Sequence, residues 1–388
     1  MVVLKFGGSS LASVSAIKSV AGVVSKYRKK HKKVVVVVSA MGKTTDLLIG
    51  QIEELGAEKF DDLTDGLLNL GELKSSYMLA IALKKLGERA EVYNGDKAKI
   101  FVSGGYGNGF ISGIDETAIK TGLAEFDIIV VAGFCGVNNN KKIVTLGRGG
   151  SDTTAVALAS VFRAKCYIFT DVCNVCSIDP KLFNNAKKYK EIDYDNMLEL
   201  GAFGAKVLDV RCLEIAKKFN TEVKLKKSND ELGETKIVSS NLESLQIAGI
   251  AIIEDLTLLR IEIKNEDKQT ILKLLINSLQ KLWFFQFENY GTNTYVKFAI
   301  NTSKKQKICE ILEKITISIC DFDDLSMLSL VGLGFVTHTD DVLKILSKTS
   351  DWGIEILNLQ QCERVLNVLV HKSRCQELAE NLKNEFNL

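Results

Sequence analysis

The chain has 388 residues, 46% hydrophobic and 25% charged, which is enough for two or three domains with cores of their own. A net charge of +2 gives no general attraction to nucleic acid or an anionic membrane surface. No apolar run approaches the roughly 20 residues that span a bilayer, residues 1–6 lack the features of a secretory leader, and the nine scattered cysteines suit free thiols, so a soluble cytoplasmic protein is expected.

In chain order, residues 4–6 end a short apolar strand and run into Gly7-Gly8. Residues 11–27 place apolar side chains at helical spacing, and Val34 to Val38 are β-branched throughout. A valine run without polar alternation suits a strand covered on both faces, as in a parallel sheet between helices. The basic run from Arg28 to Lys33 reads as a solvated helix end, where cations complement the negative dipole. Residues 127–131 and 167–170 repeat the buried-strand signature, and a helix is predicted over 153–163 between them. These segments predict a doubly wound, mostly parallel α/β sheet with ligands at the carboxyl ends of its strands.

Beyond about residue 240 the pattern changes to two similar series. The first predicts a strand at 258–263, a helix at 270–282, a strand at 294–300 and a helix at 306–315. The second predicts strands at 328–332, 353–357 and 365–370 with helices at 340–348 and 377–386, which suggests a duplicated regulatory module.

Two glycine-rich segments carry the chemistry. Gly7-Gly8 lies between strand and helix, so backbone N–H groups can approach an anion at the positive helix end, with Lys5 beside them. Gly147-Arg148-Gly149-Gly150-Ser151-Asp152 opens another helix, with Ser151 or Asp152 as the expected N-cap and Arg148 able to grip a carboxylate with both arms of its fork. Phosphoryl transfer asks for this inventory, because the protein must mainly align and neutralise charged groups. Other chemistries lack their parts. The histidines are His31, His338 and His371, and the one in the α/β region, His31, belongs to the solvated basic run, leaving no base for a serine triad, and there is no Walker sequence. Gly104 to Gly109 lacks dinucleotide spacing and reads as a flexible loop, and Cys173 and Cys176 have no second pair to complete a zinc site.

In these residues the chain resembles the aspartokinases of the amino-acid kinase superfamily over nearly its whole length. The resemblance rests on KFGGSS from Lys5, SAMGKTTD from Ser39, TLGRGGSDTTAVALA from Thr145, Thr170-Asp171-Val172 with Asp179-Pro180, Asn185-Ala186-Lys187, Met197-Leu198-Glu199-Leu200 and Gly204-Ala205-Lys206-Val207-Leu208. It implies a catalytic amino-acid kinase domain over 1–240 and two α+β ACT-like regulatory units at 246–322 and 323–388. It also implies transfer of the γ-phosphoryl group of Mg-ATP to the side chain of aspartate, regulation by lysine or threonine, and a homodimer or higher homo-oligomer. Lys5 and Asp152 would be catalytic. Lys5, Phe6, Gly7, Gly8, Thr170, Asp171, Cys176, Lys181, Lys206 and Val207 would line the ATP site. Arg148, with Gly149, Gly150 and Ser151, would hold the substrate α-carboxylate, Glu72 would face its ammonium group, and Thr45 would lie close by.

Several departures from the family pattern touch particular functions. Cys173-Asn174 stands for Asp-Gly, Cys176 for an aromatic beside the nucleotide base, and Lys181 for an arginine, which keeps the charge but loses the fork. Asn69-Leu70 replaces Ser-Thr before Gly71-Glu72, and Lys264 to Gln269 lacks the usual proline-glycine turn of the effector loop. Two other readings stay open, a related kinase acting on glutamate and an amino-acid sensor with a decayed kinase domain.

Overall fold

A computed structural model describes residues 1–57, 60–171, 174–183, 185–205, 207–227, 233–239, 247–278, 282–313, 315–332, 334–336 and 339–388. These form two compact units. The division is not one cut in the sequence, because residues 176–187 and 202–205 cluster with the carboxyl-terminal unit. Among the described residues no helix is long and apolar enough to cross a membrane.

The first unit is built on an eight-stranded sheet in the order Glu191–Asp193, Glu234–Val238, Val223–Lys227, Lys165–Thr170, Val2–Phe6, Val34–Val38, Ile128–Ala132, Ala90–Tyr93. From Val223–Lys227 onward all neighbours are parallel, and Glu234–Val238, with Glu191–Asp193 parallel to it, runs against them. Every residue of Val34–Val38 is buried, as its unbroken valine run predicts. Alternation along the strands divides the two faces. Leu4, Phe6, Val36 and Val38 pack with Ile17, Val20 and Val24 of the helix Val14–Lys30 and with Leu79 and Leu83 of the helix Asp62–Lys85. Lys5 points the other way, toward the helix Gly150–Val161.

The basic run behaves as a helix end, with Arg28, Lys29 and Lys30 in the last turn of Val14–Lys30. Arg28 and Lys33 also converge on Asp127, at 3.1 and 3.0 Å. Three local expectations are corrected. The glycine pair leads into a single turn of 3-10 helix, Gly8–Leu11, and the long helix starts only at Val14, where the Ser13 hydroxyl accepts the Ala16 N–H at 3.1 Å. The helix after the second glycine segment is capped by Gly149 in the left-handed conformation, not by Ser151 or Asp152. Residues 104–109 are a braced hairpin turn, since the Gly107 N–H donates to both oxygens of Asp65.

The second unit has a six-stranded sheet in the order Trp283–Tyr290, Asn293–Asn301, Ile247–Lys264, Ser318–Gly332, Val365–His371, Asn358–Gln361, with antiparallel neighbours throughout. Helices form at Lys268–Ser278, Lys305–Leu312, Thr339–Asp351 and Lys372–Phe386. The 18-residue strand Ile247–Lys264 serves two cores. Its Ile250 joins Leu328, Leu366, Val368 and Leu378, and its Leu259, Ile261 and Ile263 join Ile271, Val296 and Phe298. Between the two cores Asp255, and Asp324 on the neighbouring long strand, take positive φ angles of 58° and 55°, where the register shifts. The strand predicted over 353–357 is not one. Gly353, at φ +64°, closes the preceding helix together with the Ile354 N–H, which donates to the Thr349 carbonyl at 3.1 Å, and the strand begins at Asn358.

Leu4 sits fully buried in the central strand of the first unit. Leu4→Ala is therefore expected to lower stability by about 2–5 kcal/mol. The check is the urea midpoint followed by far-UV circular dichroism, and an unchanged midpoint would contradict the packing described.

Candidate active site

The parallel strands end together. Phe6 is in register with Val38 and Phe169, and Val38 with Ala132, so Gly7, Ser39, Gly133 and Thr170 follow one another along the carboxyl edge of the sheet. The chain moves from Val2–Phe6 to Val34–Val38 on one side and places Lys165–Thr170 on the other, which makes the end of Val2–Phe6 the switch point where an open α/β sheet leaves a crevice. The Ser39 N–H donates to the Phe6 carbonyl at 3.1 Å and the Gly42 N–H to the Gly8 carbonyl at 2.9 Å. A Cβ on Gly8 would lie 2.8 Å from the Ala40 carbonyl oxygen, so this close approach of two loops requires glycine.

Lys5 Nζ lies 2.6 Å from Asp152 Oδ1, with the two side chains only 10% and 15% exposed. Gly7 leaves the flank of the ammonium open, since a Cβ there would stand 3.5 Å from Nζ. Thr170, at the end of the adjacent strand, donates its hydroxyl to Asp171 at 2.9 Å. Phe6 is a core residue whose ring stacks on Phe169 with centroids 4.5 Å apart, so only its backbone is available to a ligand.

Glu72 is 2% exposed on the helix Asp62–Lys85. Its Oε1 accepts the Ala40 N–H at 3.1 Å, and the nearby Ser75 hydroxyl donates to the Ser39 carbonyl at 2.7 Å, so this helix holds the loop after Val34–Val38 at two points. Gly71 makes the approach possible, because a Cβ there would meet that of Ala40 at 2.9 Å. Burial pushes the Glu72 carboxyl up to about 7 against the opposing pull of the Ala40 hydrogen bond, and its buried Oε2 has no hydrogen-bond partner among the described residues. An unpaired acceptor of this kind is expensive unless a ligand completes it. Thr45 stands half-buried in the first turn of the helix Thr44–Glu54, beside this loop.

Arg148 is exposed between Gly147 and Gly149, whose φ angles are +73° and +72°. Gly149 presses so closely on Asp209 that a Cβ would lie 2.2 Å from the Asp209 Cβ. Gly150 and Ser151 are buried in the first turn that carries Asp152. Val207 is half-buried in a turn of the first unit, whereas Cys176 and Lys181 belong to the second. Lys181 is exposed, and its N–H donates to Asp179 Oδ1 at 2.8 Å. Lys206 and Cys173 lie outside the described residues.

Sequence reasoning missed Ala40, Asp65, Asp209 and Arg211. Their partners are mostly backbone atoms of distant segments, which leave no side-chain pattern. One signal existed, since Asp65 precedes Glu72 by two turns and lies on the same helix face.

The amino acid kinase family model matches residues 1–227. An aspartokinase of Geobacillus stearothermophilus is 34% identical, with 100% of this chain and 97% of that protein covered. The crystal structure of E. coli aspartokinase III in complex with aspartate and ADP superposes with a TM-score of 0.78 at 20% identity, covering 100% of both chains. The same enzyme in complex with lysine and aspartate gives a TM-score of 0.79 at 21% identity, covering 100% of this chain and 99% of that one. At these identities the superpositions show a shared fold.

The raised Glu72 pKa fixes a pH dependence. The stability it contributes is fully present below about 4.5 and is lost as pH rises through about 7. Glu72→Gln removes that loss, so in ligand-free protein the variant is expected to gain thermal stability relative to the parent as pH rises across this window. Parallel melting curves for the two proteins over the same range would contradict the buried, unpaired carboxylate.

Proposed function

The chain belongs to the aspartokinases of the amino acid kinase family, and from that premise we infer a division of labour in its site. The enzyme is an aspartate kinase, which transfers the γ-phosphoryl group of ATP to the side-chain carboxylate of L-aspartate and gives 4-phospho-L-aspartate and ADP. The observation that carries the assignment of roles is the separation of charge along the strand ends, with Lys5 at the switch point and the buried Glu72 behind the next loop.

In this reading Lys5 neutralises phosphate oxygens as charge shifts toward the leaving ADP, and Gly7 and Gly8 keep the loop backbone close to them. Asp152 holds the Lys5 ammonium in place. Thr170, Asp171 and Val207, with Lys206, contribute to nucleotide binding. The nucleotide would enter as its magnesium complex, and the ion would add to the neutralisation of the phosphates that Lys5 begins. The attacking oxygen belongs to a carboxylate that is already ionised near neutral pH, so no general base is needed. Arg148, backed by Gly149, Gly150 and Ser151, grips the α-carboxylate, and the Glu72 carboxylate completes itself on the substrate ammonium beside Thr45.

We assign control by a small amino acid, lysine or threonine, to the two ACT-like units at 246–322 and 323–388, following the catalytic region 1–240, and a homo-oligomer as the working assembly. A decayed sensor is disfavoured because Lys5 and Asp152 remain paired and Glu72 remains buried with an open acceptor.

Lys5→Ala and Asp152→Ala are each expected to lower turnover by on the order of 10²–10³-fold. Acyl phosphate trapped with hydroxylamine measures this, and near-normal rates in either variant would remove that residue from the mechanism. The same assay with glutamate in place of aspartate tests the substrate, and turnover of glutamate alone would overturn the assignment. KM for aspartate should fall as pH rises through about 7, where Glu72 ionises, and Glu72→Gln should flatten that dependence.

A further inference from the structure

Arg148 stands between two glycines in left-handed conformations, in a turn closed by the Gly150 N–H, which donates to the Gly147 carbonyl at 3.1 Å. Further bracing comes from another element. Arg211, in the first turn of the helix Val210–Phe219, donates from Nη2 to the Arg148 carbonyl at 2.7 Å and from Nη1 to the Gly109 carbonyl at 3.4 Å. Its Nε contacts Asp209 Oδ1 at 3.4 Å, and Asp209 caps the same helix by accepting the Arg211 N–H at 3.0 Å. A cation in the first turn of a helix faces the positive end of the dipole, an unfavourable place for it. Its bonds to two carbonyls and to Asp209 offset that cost, which marks its position as set by the loops it joins.

Both loops are tied in turn to the helix that carries Glu72. The Gly109 N–H donates to the Thr145 carbonyl at 2.8 Å. Asp65, 0% exposed, accepts the Thr145 N–H at 2.7 Å, the Thr145 hydroxyl at 2.9 Å and the Gly107 N–H at 3.0 Å. A continuous set of hydrogen bonds therefore runs from the Glu72 helix through Asp65, Thr145 and Gly109 to Arg211 and the backbone of Arg148. We propose that Arg211 is a positioning residue for the phosphoryl acceptor: it holds the Gly147–Gly149 turn so that Arg148 meets the α-carboxylate of the amino acid whose ammonium faces Glu72. The proposal rests on the reading of Arg148 as the carboxylate grip.

Arg211→Ala keeps the backbone N–H that Asp209 caps, and the side chain removed is a third exposed, so the fold is expected to survive. Misplacement of a binding group lowers efficiency by on the order of 10–100-fold. Arg211→Ala should therefore lower kcat/KM for aspartate by about that factor, mainly through KM, while KM for Mg-ATP changes by less than about threefold. Arg211→Lys keeps the charge but cannot reach both carbonyls, and should recover part of the loss. In the double variant with Arg148→Ala, removal of Arg211 should add little, because the two residues act as one unit.

Equal effects on both substrates, additive losses in the double variant, or an unchanged KM for aspartate would each overturn the proposal. If Arg211→Ala does not fold, Arg211→Lys and its combination with Arg148→Ala carry the same test. Should Arg148→Ala itself leave KM for aspartate unchanged, the carboxylate grip fails and the proposal falls with it. A loss in Arg148→Ala without one in Arg211→Ala defeats the proposal alone.

Discussion

Lys5 is a cation set into the central strand of a hydrophobic sheet, and Asp152, 2.6 Å away on the facing helix, is what makes that position tolerable. The pair is partly desolvated, so it adds little net stability, but removing one partner would leave the other nearly buried and uncompensated. Its geometry depends on features far apart in sequence. Strand alternation aims Lys5 away from the core made by Leu4 and Phe6, and the left-handed Gly149 starts the helix early enough to place Asp152 in its first turn. Gly133 lets that helix lie against the sheet, since a Cβ there would stand 2.9 Å from Ser151 and from Val37. The ion pair is therefore the point at which sheet, helix and glycine loop must all agree.

The helix Asp62–Lys85 imposes the second constraint. Asp65 and Glu72 are buried carboxylates on one face of it, yet their surroundings differ in kind. Asp65 is surrounded by donors and is fully used in holding the Thr145 strand and the hairpin at Gly107. Glu72 spends one oxygen on the Ala40 N–H and leaves the other open. A saturated carboxylate fixes structure, whereas an unsaturated one at the end of a sheet is available to a cationic ligand.

Much of this was legible in the sequence for physical reasons that can be named. The valine run at Val34–Val38 has no polar alternation and could only be a strand covered on both faces. KFGGSS and GRGGSD put charged residues next to glycines at strand–helix junctions, where ligands meet backbone, and Lys5 and Asp152 are found together. What was hidden is backbone geometry. Nothing in Gly7-Gly8-Ser9-Ser10 distinguishes a 3-10 turn from the start of a helix, and the long helix waits for the cap at Ser13. Gly149 outranks Ser151 and Asp152 as a cap because the chain there must take a positive φ. Asp209 and Arg211 act on the main chain of Gly149, Arg148 and Gly109, which sequence spacing cannot reveal. Asn358–Gln361 was missed because the apolar residues before it lie in the connection that follows the helix Thr339–Asp351, where Ile354 is buried in the core.

The choice of nucleophile explains why the proposed site can rely on these groups without a histidine. A carboxylate attacks phosphorus without giving up a proton, so the protein has no base to supply and no proton to route during the transfer. The burden moves to alignment and to charge, and therefore to lysine, arginine and backbone amides held by rigid elements. One proton still matters, and it sits on the protein. Glu72 must be ionised to pair with an ammonium group, but burial favours its neutral form up to about pH 7. In the proposed binding mode the cationic end of the substrate would reverse that preference, because a charge brought against the open oxygen replaces the solvation that burial removed. On the proposed pairing of Glu72 with the substrate ammonium, substrate binding and deprotonation of Glu72 become one linked event, which would assign the acid limb of the pH profile to acceptor binding and not to the phosphoryl-transfer step.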